Sequence, residues 1–488
     1  MKDKLFNSIQ KKPLFLLLLP LFFVFHSLVE IFHPVLIKEA ITLYFIYSGS
    51  AIFIAVLFYL LYRNVLKASL ASFMLMSGNF FLGSLYEFFK KNIGGSIITK
   101  FSFFLPAIGI LIIILLILIK KSNRKFFTTV KYLNILFLLL ILIDTGILAS
   151  KIITKRKGNV TDLSEKLSVC DTCAKPDIYL VIADGYAGKQ ELQEMLSFDN
   201  SPFENELDKR GFYIVENSKS NYNKTAYSMA SLLNMDYIKN MEAPGKVNHP
   251  DMLTCQTLIK NNNLINFLKK SGYQSHNISP FDLSNIKKPI HNLYFPTYRS
   301  LLSSQTLINR INFYLGFHFA PKKERLKLKN NNYANNIKID SLAREILIKE
   351  NTQPRFVYIH YNMPHHPYLF NSKGLEVLTD TIKNDLTAYI EYLQYGNKKF
   401  LELIDSIKSK SATPPVILLL GDHGFREFPG SVDKKYYFMN LNAVYLPSEN
   451  YNGFYSGMSN VNQFRVILNK LFGQHLPLLK DSTIFETE

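Results

Sequence analysis

Asp422 and His423 stand side by side at the end of the apolar run "VILLLGDHGF" (416–425). A run bounded by Pro415 and Gly421 reads as a central strand of a parallel sheet, covered by helices on both faces. Groups just past the carboxyl end of such a strand sit where open α/β sheets place their ligands. For this pair alone, a helix cap and a surface histidine would do equally well. Three further stretches sharpen it. "KPDIYLVIADGYAG" (175–188) again runs a strand into an acid, Asp184, followed by Gly185. In "SKSNYNKTAYSMASLLNM" (218–235), Thr225 opens a segment with apolar residues at helical spacing. "HYNMPHHPY" (360–368) sets His365 and His366 behind another strand.

Carboxylates, an imidazole and a hydroxyl in this set suit metal-assisted displacement at phosphorus or sulfur. Carboxylates and imidazole hold a divalent ion, which lowers the pKa of a bound hydroxyl and polarises a non-bridging substrate oxygen. A hydroxyl at a helix start is placed as a nucleophile, because the backbone N–H groups there favour an incoming anion. Each part also has an ordinary reading. Thr225 alone is an N-cap, and His365 and His366 beside Pro367 are loop residues. The ordered combination carries the chemistry.

The elements that must position these residues alternate. The charged stretch 189–212 predicts a helix broken near Ser201-Pro202, followed by a strand "FYIVEN". Helix "CQTLIKNNNLINFLKKSG" leads to strand "YQSHNIS", helix "IDSLAREILIKE" to strand "RFVYIHY", and the amphipathic stretch 378–409 to the strand that ends at Gly421. This pattern predicts an α/β domain, a mostly parallel sheet sandwiched by helices. In such a sheet Asp184, Thr225, the loop after residue 361 and Asp422-His423 can meet at one edge. No repeat at a solenoid period is present.

The 488 residues allow two or three domains. The first 150 are dominated by Leu, Ile and Phe, and five stretches qualify as membrane spans: 14–33, 41–62, 67–89, 101–120 and 129–149. The first is too long, and too soon followed by others, for a cleaved signal peptide. Basic residues gather before the first span (Lys2, Lys4, Lys11, Lys12), between the second and third (Arg63, Lys67) and between the fourth and fifth (Lys120, Lys121, Arg124, Lys125, Lys131). The alternate loops carry fewer: Lys38, then Lys90, Lys91 and Lys100. This predicts a multi-pass protein of the cytoplasmic (inner) membrane with its N-terminus in the cytoplasm. Residues 1–149 form the membrane domain, 150–174 a linker, and 175–488 an extracytoplasmic domain.

The net charge of +18 raises nucleic acid as a partner, but no aromatic-basic recognition motif accompanies it, so none is expected. Much of the charge flanks the membrane, and "KKERLKLKNNN" (322–332) adds a cluster that reads as a solvated basic loop. A basic surface beside a bilayer would attract anionic lipid head groups. Cys170 and Cys173 form a C-x-x-C with no further zinc ligands at the needed spacing. A local disulfide and two free thiols both remain open for them, and Cys255 stands apart.

"PDIYLVIADGY", "NYNKTAYSMASLLN", "MPHHPY" and "LLLGDHG", in that order over about 175–475, resemble the successive motifs of the sulfatase-like branch of the alkaline phosphatase superfamily. Five N-terminal spans followed by such a domain also resemble the plan of lipoteichoic acid synthases and phosphoethanolamine transferases. The resemblance implies that Asp184, Asp422 and His423 bind one divalent ion (Mn, Zn, Mg or Ca), and that Thr225 is the metal-bound nucleophile that becomes covalently modified. It implies that His365 contacts the transferred group or protonates the leaving oxygen, with His366 as its substitute, and it sets Asn223 among the substrate-binding residues. Two departures bear on substrate. Sulfatases carry Cys or Ser in a C/S-x-P-x-R context, whereas Thr225 is followed by "AYSM". The lipid-linked transferases generally carry Glu where this chain has Asp184. With no second Asp/His/His set in view, a one-metal site is expected.

The resulting expectation is a membrane-anchored phosphotransferase. Thr225 would attack a phosphodiester such as a phospholipid head group, and an envelope glycan or lipid hydroxyl would resolve the intermediate. Its partners would be membrane lipids and that acceptor. A phosphodiesterase or sulfuric ester hydrolase with water as acceptor uses the same machinery. A non-catalytic envelope protein that only binds glycans has no physical need for Asp184, Thr225, Asp422 and His423 together.

Overall fold

The computed structural model describes residues 12–94, 96–154, 158–290, 297–312, 321–350, 352–377 and 386–487. They form two compact units: Met1–Lys155 with Tyr294–Pro321, and Arg156–Leu293 with Lys322–Glu488.

In the first unit, helices α1 (Phe15–Ile31), α2 (Ile37–Tyr62), α3 (Val65–Asn92), α4 (Phe101–Lys121) and α5 (Phe127–Thr154) follow one another. The last four contain stretches long and apolar enough to cross a membrane. The first is apolar but has only 17 residues, about 25 Å of helix at 1.5 Å per residue. Phe53, Leu61, Ile110, Ile113, Leu142 and Ile143 point outward and are exposed. Such a surface is costly in water and suited to lipid. Polar contacts join the helices inside: Ser72 Oγ on α3 donates to the Ala51 carbonyl on α2 at 2.6 Å, and His26 Nδ1 on α1 lies 3.1 Å from the Asp144 carboxylate on α5. The segment around the short helix Tyr298–Ser303 groups with these apolar helices, and not with the rest of 175–488.

The second unit is built on a six-stranded sheet in the order β2-β6-β5-β1-β4-β3. Its strands are β1 (Ile178–Ala183), β2 (Tyr213–Ile214), β3 (Gln274–Ile278), β4 (Arg355–Tyr361), β5 (Val416–Gly421) and β6 (Asn442–Tyr445). β1, β3, β4 and β5 are parallel, while β6 runs antiparallel to both β5 and β2. Every residue of β1, β4 and β5 is buried, as expected for strands covered on both faces. The connecting helices are α6 (Lys189–Leu196), α7 (Ser201–Lys209), α8 (Thr225–Asn234), α9 (His249–Lys260), α10 (Asn263–Lys270), α11 (Pro321–Ile348), α12 (Leu386–Lys410) and α13 (Asn460–Phe472). The architecture is thus a mostly parallel sheet between helices, behind a set of N-terminal apolar helices.

Several local expectations need correction. Residues 322–332 are the first turns of α11 and not a loop, since Lys, Glu, Leu and Arg are strong helix formers. The single helix expected after Cys255 is two, because Asn262 accepts from the Ile265 N–H and caps a new helix. "FYIVEN" supplies only two strand residues, at the sheet edge against β6. The antiparallel strand β6 was not anticipated. Of the stretch 378–409, residues 378–385 lie outside the described residues. Cys170 and Cys173 form a disulfide, and Cys255 is free and buried.

Candidate active site

Strand register builds the centre. Ala183 on β1 pairs with Gly421 on β5 and with Tyr361 on β4. Asp184 and Asp422 are therefore the next residues on adjacent parallel strands, one strand spacing apart. His360 is in register with Ile182, two residues before Asp184, and side chains two apart share a sheet face. Asp184, Asp422 and His360 offer ligand atoms all within 4.8 Å of one another, and all three residues are buried.

The turns after the strands are held to narrow tolerances. Gly185 takes φ +69°, a left-handed conformation that costs other residues energy, and its N–H donates to Asp422 Oδ1 at 2.9 Å. The Tyr389 hydroxyl on α12 accepts from the Ala187 N–H and donates to the Gly185 carbonyl. At Gly424 a Cβ would run into the Tyr436 and Met439 carbonyls and stand 2.7 Å from Glu191 Oε2. The His423 N–H also donates to Asp422 Oδ1, at 3.0 Å.

Asp422 Oδ1 is thus satisfied, while among the described residues Asp422 Oδ2, Asp184 Oδ1 and His360 Nε2 are buried without a hydrogen-bond partner. The His423 ring donates Nδ1–H to the Gly424 carbonyl at 2.7 Å. Its Nε2 lone pair then faces Asp184 Oδ1 at 3.6 Å, Asp422 Oδ2 at 3.4 Å and Thr225 Oγ1 at 3.3 Å. Burial and the nearby Arg426 charge hold the His423 pKa well below its usual value, so the ring is neutral. A neutral imidazole with its lone pair aimed at two carboxylates is repulsive on its own. Burial and the Asp184 charge push Asp422 up to about 6. Burial works in the same direction on Asp184, but the nearby His365 and His360 imidazoles outweigh it and leave its pKa below the usual carboxylate range. Two buried acids forced apart in this way, with orphaned acceptors converging, fit a divalent cation, whose charge would remove the conflict. The donor set of carboxylate oxygens and imidazole suits Zn or Mn.

Thr225 is the first residue of α8, and no side chain caps that helix end. One turn on, Ser228 Oγ donates to the Asp422 carbonyl at 2.6 Å and ties α8 to the end of β5. Beside this lies a cleft lined by Gly185, His365, His366, Tyr368, Arg426 and Glu427 among others. His365 donates Nδ1–H to the His366 carbonyl at 2.7 Å, and its Nε2 accepts from Arg426 Nη2 at 3.2 Å. Arg426 Nη1 donates to the Asn223 carbonyl at 2.9 Å. The Asn223 side chain is engaged elsewhere, exchanging hydrogen bonds with the Glu486 backbone at 2.8 and 3.1 Å. Asn223 thus meets this cleft through its backbone. Burial lowers the His366 pKa, and its ring stands edge-on to Tyr368 at 5.6 Å.

The structure therefore brings Asp184, Thr225, Asp422 and His423 to one point, with His365 and His366 in the adjoining cleft. Sequence reasoning missed His360 and Arg426. His360 is a buried histidine inside an otherwise apolar strand, which is a usable signal. Arg426 sits three residues past His423 in the same turn.

The family model Sulfatase matches residues 176–464, more than half of the chain. No curated protein matches the chain in sequence. Among solved structures, the C-terminal periplasmic domain of EcEptC from Escherichia coli is similar at 13% identity and TM-score 0.40, over 65% of this chain and 91% of that one. A sulfatase-like protein from Bacteroides thetaiotaomicron is similar at 13% identity and TM-score 0.38, over 64% and 74%. The soluble domain of lipooligosaccharide phosphoethanolamine transferase A from Neisseria meningitidis is similar at 11% identity and TM-score 0.36, over 62% and 89%. Likeness at this level says nothing about substrate.

Proposed function

The chain belongs to the sulfatase family, and from that premise we propose a membrane-anchored, metal-dependent phosphotransferase acting outside the cytoplasmic membrane. Thr225 is its nucleophile toward a phosphodiester such as a phospholipid head group, and an envelope glycan or lipid hydroxyl is the acceptor. One observation carries this reading: the Thr225 hydroxyl lies 3.3 Å from His423 Nε2, at the buried Asp184–Asp422–His360 cluster.

Asp184, Asp422, His423 and His360 would hold the ion, and Thr225 faces the same point. A divalent cation there supplies Lewis-acid stabilisation of charge on the phosphoryl oxygens. The chain's own groups do the rest. The N-terminus of α8, where backbone N–H groups lack intrahelical acceptors, favours the anion. Attack forms a bond from phosphorus to Thr225 Oγ1 and breaks the ester bond to diacylglycerol, whose oxygen gains the proton that Thr225 loses, leaving the head-group phosphate esterified to Thr225. An acceptor hydroxyl then takes the phosphoryl group and frees Thr225. Arg426 lends fixed positive charge for a non-bridging oxygen. That same guanidinium donates to His365 Nε2 at 3.2 Å, so the lone pair there is already engaged. This supports His365 as a contact to the transferred group over His365 as the acid.

The test is diacylglycerol release from phospholipid by the full chain in detergent. Chelation should abolish release and added metal restore it. Thr225→Ala should lower it by several orders of magnitude, because no other group can form the covalent intermediate. Release by Thr225→Ala at the wild-type rate would end the threonine mechanism.

A further inference from the structure

Asn221 and Asn223 are alternate residues of the stretch that leads into Thr225, and the side chains of both reach the same distant segment. Asn221 is 0% and Asn223 2% exposed, so their amides must find partners inside the protein. Asn221 Nδ2 donates to the Ser482 carbonyl at 3.0 Å, and the Ile484 N–H donates to the Asn221 carbonyl at 2.8 Å. Asn223 Oδ1 accepts from the Glu486 N–H at 2.8 Å, while Asn223 Nδ2 donates to the Glu486 carbonyl at 3.1 Å. Between them, Tyr222 and Ile484 form a parallel bridge. Residues 482–487 thus pair with the nucleophile's loop as a strand would, with the Asn223 amide standing in for a backbone partner. Such a two-way exchange needs a group that both donates and accepts in one plane, which an asparagine supplies.

The same segment is fixed on its other side. The Thr487 N–H donates to the Gly245 carbonyl at 3.0 Å, and the Val247 N–H donates to the Thr487 carbonyl at 2.7 Å. The Phe485 ring stands edge-on to Tyr437 at 5.4 Å and to Phe438 at 6.2 Å, with Lys434 Nζ 4.6 Å from its centre. These residues form the helical turn Lys434–Phe438, and the Tyr437 carbonyl accepts from the Gly424 N–H at 3.0 Å, next to His423. Residues 482–487 therefore join the loop of Thr225 to the turn that carries Asp422 and His423.

Asn223 is where this join reaches the cleft. Its carbonyl accepts from Arg426 Nη1 at 2.9 Å, and Arg426 Nη2 donates to His365 Nε2 at 3.2 Å. The guanidinium is held at two points, and one of them is a residue whose own side chain is locked to Glu486. A planar fork held in this way gives up little further freedom when an anion arrives. Its charge also needs no reorganisation as the reaction proceeds.

We propose that residues 482–487 are a positioning strap for the reaction at Thr225, and that Asn223, through its paired amide, holds Arg426 where it meets the phosphoryl group. This rests on the role given above to Arg426.

The test compares Asn223→Ala, Arg426→Ala and the two combined in the zinc-loaded full chain in detergent. Two quantities are read: affinity for inorganic phosphate by calorimetry, and kcat/KM for diacylglycerol release from phospholipid. Arg426→Ala should lower kcat/KM by about 100-fold, and Asn223→Ala by about tenfold, because a donor that is present but loose keeps part of its effect. Phosphate affinity should fall in the same order. In the Arg426→Ala background, Asn223→Ala should change neither quantity further, although it lowers the melting temperature equally in both backgrounds. Equal losses of affinity and kcat/KM in both backgrounds would overturn the proposal, because the strap would then act on the fold and not through Arg426. So would wild-type affinity and turnover in Asn223→Ala. If Arg426→Ala itself matches wild type, the role of Arg426 and the path through it fail together. Asn223→Asp keeps the acceptor for the Glu486 N–H and loses only the donor, so it should fall between wild type and Asn223→Ala. It carries the same comparison if Asn223→Ala does not fold. Coupling in phosphate affinity, in a chain that releases no diacylglycerol, would defeat the phospholipid reading and leave the strap standing.

Discussion

His360 and His423 approach the same pair of aspartates, yet only one of them was visible in the sequence. Asp184, Asp422 and His423 follow apolar runs that mark strand ends, where ligand groups gather. His360 sits inside a strand, and only the register with β1 shows that it faces Asp184. His360→Ala should weaken metal binding by about 10- to 100-fold, measured by competition with a chelator. An unchanged affinity removes His360 from the ligand set. Glu191 offers a pH test away from the ligands. Burial raises its carboxyl pKa well above the usual value, an effect that the Phe425 and Gly188 backbone amides only reduce. The folded chain thus keeps this proton to higher pH than the unfolded chain does. Stability present below the ordinary glutamate pKa is therefore lost as pH rises toward the folded value. Glu191→Gln stays neutral throughout, so its melting temperature should gain on wild type as pH rises from about 5 to about 9. A gap that does not change with pH would show that Glu191 titrates alike in both states.

At the scale of elements, the centre depends on how α8 is fixed to β5. Ser228 makes that join by donating to the Asp422 carbonyl one turn after Thr225. Ser228→Ala leaves a buried carbonyl short of a donor, which costs about 1–3 kcal/mol. It should also lower turnover, because Thr225 is no longer set against His423. A variant that melts lower but turns over as wild type would mean that α8 is positioned by other contacts. The alternation of helices and apolar strands made the parallel part of the sheet legible, since fully buried strands leave a plain mark. The antiparallel β6 escaped because "NAVY" is too short to read as a strand. The helical start of α11 escaped because a run of lysines reads equally as loop, and the buried face of this helix, Ile339, Ala343 and Leu347, shows only in the packed core.

At the scale of the whole molecule, the sequence divides into apolar helices and an α/β unit, and the proposed function puts the latter outside the cell membrane. An impermeant amine label applied to intact cells should then reach exposed lysines of that unit such as Lys209 and Lys287. Labelling only after the membrane is broken would reverse the orientation. If the proposed substrate is right, the first product should be an enzyme carrying part of a lipid. The most direct measurement is the mass of the Thr225-containing peptide after the metal-loaded protein has met a phospholipid whose head group it accepts, quenched before an acceptor is added. The account predicts a mass increase equal to the phosphorylated head group less one water, located on Thr225, lost on addition of acceptor and absent in Thr225→Ala. Diacylglycerol release with an unmodified Thr225 peptide at every quench time, or with the added mass on another residue, would contradict it.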